Sequence, residues 1–290
     1  ELEIADTPGG SAVRALVLAG GGRIALGGAD RVLVTLGSMT DGARTGSASA
    51  APGTEPAATP AWALWRGLAA GRPGFGRPEA FCGAVERTAW SSFTATLDRP
   101  DFLDFMERFT GNPTGTGGLV TFAGSGWTLS IVLFRQPHFA DQPDDRFVFW
   151  GYGLSGDRPG DFVARPMWQA TGAEILEELA GQLRLGPEAR GWFEGARVIP
   201  CWMPFITSQF MPRRAGDRPP VRPEGAANFA FIGQFCEVPR DCVFTVEYSV
   251  RSAWTAVHAL TGRTPPPPPV ARTDRNPLAL LRAARVLLAG

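Results

Sequence analysis

Residues 228–234 read NFAFIGQ, a short and almost wholly apolar run that ends in a glycine and a polar residue. A continuous apolar run of this length is typical of a strand covered on both faces, as in the parallel sheets of α/β proteins. A helical pattern follows over residues 244–260, with Val246, Val250 and Trp254 on one apolar face. This order predicts a ligand site beyond the carboxyl end of a sheet strand, close to a helix N-terminus.

A second strand-to-glycine junction lies in residues 32–40, which read VLVTLGSMT. Glycine at a strand end lets the backbone approach a phosphate or a ring closely. The alternative interpretation is two ordinary strand ends with glycine for turning. The glycine-rich residues 20–28 are interpreted as a hairpin turn rather than a phosphate loop, because no helix follows them.

Composition narrows the class of protein. The 290 residues carry 28 basic and 28 acidic side chains, so the net charge is zero and no nucleic acid is expected as a partner. The chain has no lysine, which excludes a lysine Schiff base, and two histidines are too few for a multi-histidine zinc site, so no metal is expected. Four scattered cysteines suit buried thiols in a reducing, cytoplasmic compartment. No apolar run is long enough to span a membrane.

Periodicity and turn residues predict a mixed α/β fold (α+β). Strands are predicted at 15–19, 23–26, 31–35, 89–97, 119–123, 127–135, 147–152, 196–201 and 228–232. Helices are predicted to begin at Pro60 after Thr59 as N-cap, at Pro100, and at Thr171 in a capping box with Glu174. Two more are expected at 244–260 and 277–289, separated by a stiff spacer of five prolines at 265–269.

Seven stretches of the sequence resemble those of the oleate hydratase family. Its members are FAD-containing fatty-acid double-bond hydratases, also called myosin-cross-reactive antigens. These stretches are 34–40 (VTLGSMT), 75–82 (FGRPEAFC), 116–122 (TGGLVTF), 136–139 (QPHF), 149–154 (FWGYGL), 204–212 (PFITSQFMP) and 228–251. The resemblance runs from about residue 14 to the end of the chain, and the first residue is Glu1 rather than methionine. It implies the C-terminal half of a longer enzyme, with the dinucleotide fingerprint and the catalytic acid and base expected upstream.

The resemblance implies hydration of a cis double bond in an unsaturated fatty acid, giving a hydroxy fatty acid, with FAD as a cofactor that undergoes no net redox change. The isolated fragment is expected to be inactive. Two alternatives stay open. One is an FAD-dependent oxidoreductase of the amine-oxidase or desaturase type, and the other is a fragment that binds lipid without catalysis.

The resemblance also implies a domain arrangement. Residues 1–45 would be partial strands of a Rossmann-like FAD domain, residues 46–225 an inserted sheet-and-helix substrate domain, and residues 226–264 the closing strand and helix of the FAD domain. Residues 265–290 would form a proline linker and a helical C-terminal tail. That tail carries Arg282 and Arg285 among leucines, which predicts peripheral membrane contact. Packing on the body of the protein or on a homodimer partner is the alternative.

Candidate site residues follow from the same resemblance. The expected FAD contacts are Gly37, Ser38, Met39, Thr40, Gly233, Gln234, Phe244, Thr245 and Val246. The expected fatty-acid contacts are Thr110, Asn112 and Thr116, for the substrate carboxylate, and His138. Plain turns remain the alternative for the first set. An Asn-Gly-type turn and a structural histidine remain the alternatives for the second set.

Overall fold

A computed structural model gives the chain a mixed α/β fold, as the sequence predicts, and describes residues 1–116, 118–272 and 275–289. In chain order the strands are β1 (Leu2–Thr7), β2 (Gly10–Val17), β3 (Arg23–Ala25), β4 (Val32–Thr35), β5 (Arg44–Thr45), β6 (Trp90–Leu97), β7 (Leu119–Thr121), β8 (Leu129–Leu133), β9 (Phe147–Gly153), β10 (Arg197–Met203) and β11 (Phe229–Ile232). The α-helices are α1 (Pro60–Ala69), α2 (Glu79–Cys82), α3 (Val85–Thr88), α4 (Asp101–Thr110), α5 (Gly172–Gln182), α6 (Pro187–Arg190), α7 (Val246–Thr261) and α8 (Pro277–Ala289).

The chain divides into two compact units. The first unit comprises Glu1–Leu36, Arg66–Arg77 and Arg214–Gly290, and the second comprises Gly37–Trp65 and Pro78–Arg213.

The first unit contains a parallel strand pair. Strands β4 and β11 run parallel, with Phe229 opposite Val32 and Ile232 opposite Thr35. Phe229 and Phe231 are fully buried, as the apolar run predicts. The same unit contains an antiparallel sheet in the order β1-β2-β3, whose first strand the sequence analysis did not predict.

Helix α7 packs on β11, and its orientation was not evident from its sequence. Its buried residues are Tyr248, Ser252 and Ala256, whereas Val246 and Val250 on the apolar face are 75% and 56% exposed. The buried face is instead held by hydrogen bonds. The Tyr248 hydroxyl donates to the Cys236 carbonyl (2.7 Å), and the Ser252 hydroxyl accepts from the Gly233 N–H (2.9 Å).

The five-proline segment is anchored along α7 rather than standing free as a spacer. The Trp254 indole N–H donates to the Pro265 carbonyl (2.7 Å), and the His258 Nδ1 lies 2.6 Å from the Thr264 carbonyl oxygen. The Arg251 guanidinium donates to the Pro268 carbonyl. The segment therefore covers part of the apolar face of α7.

Helix α8 exposes its apolar residues, among them Leu281, Leu287 and Leu288. Among the described residues, no helix is both long enough and apolar enough to cross a membrane.

The second unit is built on a six-stranded antiparallel sheet in the order β5-β10-β6-β9-β8-β7. One face of this sheet forms the core with α4 and α5. The fully buried core side chains include Phe93, Phe102, Met106, Phe149 and Ile175. Helix α4 buries Phe102 and Met106, whereas Phe109 at its end is 62% exposed. The helix ends at Gly111, whose φ of +72° is the left-handed conformation that glycine favours.

Capping explains where two helices of this unit begin. The Thr171 and Glu174 side chains form the predicted capping box of α5. At α1 the Asp41 carboxylate accepts the N–H groups of Ala61 (2.9 Å) and Trp62 (3.4 Å). Local sequence patterns, which predict Thr59 as the N-cap, do not reveal this distant cap.

Candidate functional site

The carboxyl edge of the parallel pair β4 and β11 is the first candidate site. Thr35 and Ile232 are register partners, so both strands end at the same edge. Gly233 follows β11 with a φ of +93°, and a Cβ there would lie 3.3 Å from the Thr35 Cγ2 atom. Glycine therefore fits this position both by conformation and by space.

Gln234 brings the start of α7 to this edge. Its Oε1 atom accepts the Phe244 N–H (2.6 Å), and its Nε2 atom donates to the Thr245 carbonyl (3.0 Å) and the Ser249 hydroxyl (2.9 Å). The structure thus brings together Gly233, Gln234 and residues 244–246, which the sequence analysis proposed as neighbours of a cofactor. Gln234 itself holds the N-terminus of α7 in place.

The N-terminus of α7 presents hydrogen-bond donors. Thr245 is the N-cap, and its hydroxyl accepts the Tyr248 N–H (3.2 Å). Within the described part of the chain, the N–H groups of Val246 and Glu247 have no acceptor, as is usual in a first helical turn. Phe244 has a φ of +86°, which is uncommon for a bulky residue, and its side chain is 62% exposed. This edge therefore combines backbone donors with an exposed aromatic ring.

Residues 37–40 belong to the second unit, where they form a tight loop. The Ser38 hydroxyl accepts the Thr40 N–H (3.3 Å), and the Ser38 carbonyl accepts the Trp62 indole N–H (2.9 Å). Gly37 has a φ of +58°, and Met39 is half-buried. The aromatic core around Trp62 therefore fixes the backbone of this loop.

The expected carboxylate ligands lie in one turn at the end of α4. Most of their side-chain hydrogen-bond donors are already used by backbone carbonyls in or next to this turn. The Thr110 hydroxyl donates to the Met106 carbonyl (2.8 Å), and the Thr116 hydroxyl donates to the Pro113 carbonyl (2.6 Å). The Asn112 amide donates one hydrogen to the Thr110 carbonyl (3.3 Å). Since an amide carries two hydrogens, Asn112 is the member of this trio that keeps a donor for a bound anion.

The turn is joined to the end of β8, which also leads to His138. The Gly115 N–H donates to the Leu133 carbonyl (2.9 Å), so the turn lies at the strand end from which residues 134–138 continue. The His138 ring stacks on the Phe134 ring at 3.8 Å between centroids. The structure therefore places the two predicted substrate segments at the same end of the sheet.

Glu107 makes the base of this turn negative. Its carboxylate accepts the Thr114 N–H (2.6 Å), and the hydrogen bonds from Thr114 hold the pKa of this carboxyl below its ordinary value. An anion held by Asn112 would therefore bind on the exposed side of the turn.

Gln136 shapes the segment around His138, and it is not among the site residues predicted from the sequence. Its Nε2 atom donates to the Phe134 (2.9 Å) and Val148 (2.8 Å) carbonyls, and its Oε1 atom accepts from Val148 (3.0 Å) and Gln142 (2.8 Å). The available signal was its place directly before proline in the QPHF motif.

Gly126 stands where the family resemblance leads us to expect asparagine. A Cβ at this position would lie 2.2 Å from the Pro159 carbonyl oxygen. A side chain therefore does not fit here unless the backbone around Pro159 shifts.

All four cysteines are free, but they are not all buried as the sequence predicts. Cys82 and Cys236 are buried, whereas Cys242 is exposed because it lies in the loop between β11 and α7.

Cys242 is expected to react rapidly with a thiol reagent at pH 8, whereas Cys236 should not. Burial raises the pKa of the Cys236 thiol from 9.0 to about 11, so almost no thiolate is present at that pH. The stability that this protonated thiol contributes is fully present below pH 9 and is lost as the pH rises toward 11. Timed labelling with mass spectrometry checks the difference in reactivity between the two cysteines, and rapid labelling that persists in Cys242→Ser would contradict it.

The fold and these sites indicate the class of protein to which the chain belongs. The chain is a mixed α/β protein with a helix N-terminus at the carboxyl edge of a parallel strand pair. It belongs to the MCRA family, whose model matches residues 2–258, and this confirms the family expected from the sequence.

Two relatives give the scale of the similarity. Over 240 residues the chain is 39% identical to the oleate hydratase of Streptococcus pyogenes serotype M49 (strain NZ131), and this covers 79% of the chain and 41% of that protein. Over 279 residues it is 32% identical to the linoleate hydratase of Lactiplantibacillus plantarum, covering 88% of the chain and 48% of that protein. The chain therefore spans less than half the length of these relatives.

Proposed function

We propose that this chain forms part of a fatty-acid hydratase, which adds water across a cis double bond of an unsaturated fatty acid. The observation that carries the proposal is the 39% identity to an oleate hydratase over 79% of the chain. Adding water to an unactivated alkene requires a positioned acid, a positioned water and stabilisation of developing positive charge. We assign no catalytic acid or base within these 290 residues.

The proposed role of the turn after α4 is to hold the substrate carboxylate. Support comes from the free amide hydrogen of Asn112 and from the exposure of Asn112 and Thr116. The Thr110 hydroxyl supports Asn112 by accepting its backbone N–H (3.2 Å). In this arrangement Asn112 binds the anion, and the two threonines shape the turn around it.

FAD is the proposed cofactor, and it would supply structure and electrostatics without a net redox change. The donor set at the edge of β4 and β11 fits part of this group. The Val246 and Glu247 N–H groups suit the oxygen atoms of a flavin ring, and Gly233 admits close approach by its backbone. The G-x-G-x-x-G spacing at residues 151–156 follows an antiparallel strand, β9, and leads into a turn rather than a helix, so it is not the pyrophosphate fingerprint. We therefore propose that the residues at the edge of β4 and β11 meet only the flavin end of FAD.

The test is a mass balance on oleic acid incubated, without added oxidant, with the purified product of the complete gene that contains these residues. We expect a product heavier by one water, together with the absorption spectrum of a bound oxidised flavin. A desaturated product that requires an oxidant would instead support the oxidoreductase alternative. Binding of oleate without any conversion would support the lipid-binding alternative.

Removing residues 270–290 is expected to abolish co-sedimentation of the protein with anionic liposomes. Helix α8 exposes leucines beside Arg282 and Arg285, a combination that suits an anionic membrane surface. Unchanged co-sedimentation would contradict membrane contact. If α8 packs on a second copy of the protein instead, the truncation would reduce the oligomer size in sedimentation velocity.

A further inference from the structure

The centre of one face of the sheet in the second unit is lined by aromatic and small polar side chains, and Arg197 lies on the same face toward one end, opposite Thr96. Paired residues of antiparallel strands share a face, and Tyr152 is opposite both Ser92 and Ser130, while Trp150 is opposite Thr94 and Val132. We call this surface the aromatic face. It is formed by Trp90, Ser92, Thr94, Ser130, Val132, Trp150 and Tyr152.

The two faces of these strands differ in burial. Phe93, Ile131 and Phe149 on the opposite face are fully buried against the helices. On the aromatic face, Trp150 and Tyr152 are only half-buried. The large rings of the aromatic face are therefore less covered by the rest of the unit than the side chains of the core face are.

Three rings on this face form a continuous ladder. The Trp90 and Tyr152 centroids lie 4.9 Å apart, and so do the Tyr152 and Trp150 centroids. The interplanar angles are 32° and 41°, so the rings are tilted rather than stacked face to face. The ladder offers a broad apolar surface made of π systems.

Two hydrogen-bond donors on this ladder have no acceptor. The Trp90 indole Nε1 is buried and unpaired, and the Tyr152 hydroxyl makes no hydrogen bond with the described residues. A buried donor without a partner costs about 1–3 kcal/mol, so proteins seldom keep one without a use. The buried Trp90 N–H therefore points to an oxygen acceptor that the described residues do not supply.

We propose that the unsaturated stretch of the acyl chain lies against Trp150 and Tyr152 on the aromatic face. This rests on the proposed function. In the hydration, one alkene carbon gains a proton, its neighbour bonds to the oxygen of water, and that water then releases a proton, so no oxidant is needed. The rings attract the positive charge that develops between these steps. The Trp90 N–H and the Tyr152 O–H can donate to the oxygen of the new hydroxyl.

A brominated fatty acid tests this placement directly. Stearate carrying bromine at the two carbons of the oleate double bond quenches the fluorescence of tryptophans that it touches. The double variant Trp90→Phe, Trp150→Phe should lose most of the quenching seen in the unaltered protein. The matched control is Trp192→Phe, because Trp192 packs against the core on the opposite face and should leave the quenching in place.

Quenching that is unchanged in the double variant would overturn the placement. Trp150→Leu provides a second readout, since it keeps apolar bulk but removes the π system. We expect it to lower kcat for oleate about tenfold with little change in KM, whereas equal kcat values would contradict a role for the ring. If the product of the complete gene adds no water to oleate, the proposed function fails, and the quenching result still decides whether this face binds an acyl chain.

Discussion

Glu178→Gln is expected to lower the free energy of unfolding of the second unit by about 3 kcal/mol. Glu178 is fully buried, and its Oε1 atom accepts the Asp161 N–H (3.0 Å). Its Oε2 atom accepts the N–H groups of Phe162 (2.8 Å) and Val163 (2.9 Å). Glutamine replaces one carboxylate oxygen with an NH₂ group, which would then face N–H donors instead of accepting from them.

Chemical denaturation monitored by circular dichroism measures this effect, and Glu177→Gln is the matched control. Glu177 is the neighbouring residue on α5, and its carboxylate pairs with Arg190 at 2.6 Å in a largely exposed position. An exposed ion pair contributes about 0–1 kcal/mol, so the control should shift the midpoint only slightly. Equal shifts in the two variants would show that the three backbone hydrogen bonds do not depend on the negative charge.

Gly115→Ala is expected to weaken oleate binding by about tenfold or more, which corresponds to about 1.4 kcal/mol. Gly115 has a φ of +81°, and a Cβ there would lie 2.5 Å from the Arg135 Cβ and 2.8 Å from the Arg135 nitrogen. The turn would have to move away from β8, which would break the hydrogen bond from the Gly115 N–H to the Leu133 carbonyl. Asn112 would move with the turn.

Gly111→Ala separates the steric effect from backbone strain. Gly111 also has a positive φ, +72°, but a Cβ there would meet nothing within 4 Å. Both variants therefore carry strain of about 1–2 kcal/mol, and only Gly115→Ala adds a clash. The KM for oleate and the midpoint of thermal unfolding should be measured for both. A similar KM in both variants would contradict the proposed role of this turn.

Local features of the fold could be predicted because short sequence patterns determine them. The capping box of Thr171 and Glu174 and the left-handed end of α4 at Gly111 each depend on a few neighbouring residues. The exposed apolar face of α7 could not be predicted in this way. Its orientation depends on Ser252, which bonds to a strand end nineteen residues earlier, and on the proline segment that follows the helix.

The sequence indicated which residues gather at the edge of β11, but not how their polar groups are used. Gly233, Gln234 and Thr245 are brought together as expected. The amide of Gln234 is nevertheless engaged by residues 244–249, and the hydroxyls of Thr110 and Thr116 are engaged by backbone carbonyls. Such partners depend on side-chain orientation, which motif spacing does not determine.

The anchoring of the proline segment limits how far α8 can lie from the end of α7. If residues 263–276 made no contacts, α8 could occupy many positions around the end of α7. Hydrogen bonds to Trp254, His258 and Arg251 instead fix the chain as far as Pro268. Eight residues, 269–276, follow Pro268 before α8 begins, and eight fully extended residues span at most roughly 28 Å. Losing the contact at Pro268, as in Arg251→Leu, would move the last of these three anchors back to Pro265 and so lengthen the stretch of chain that leads to α8.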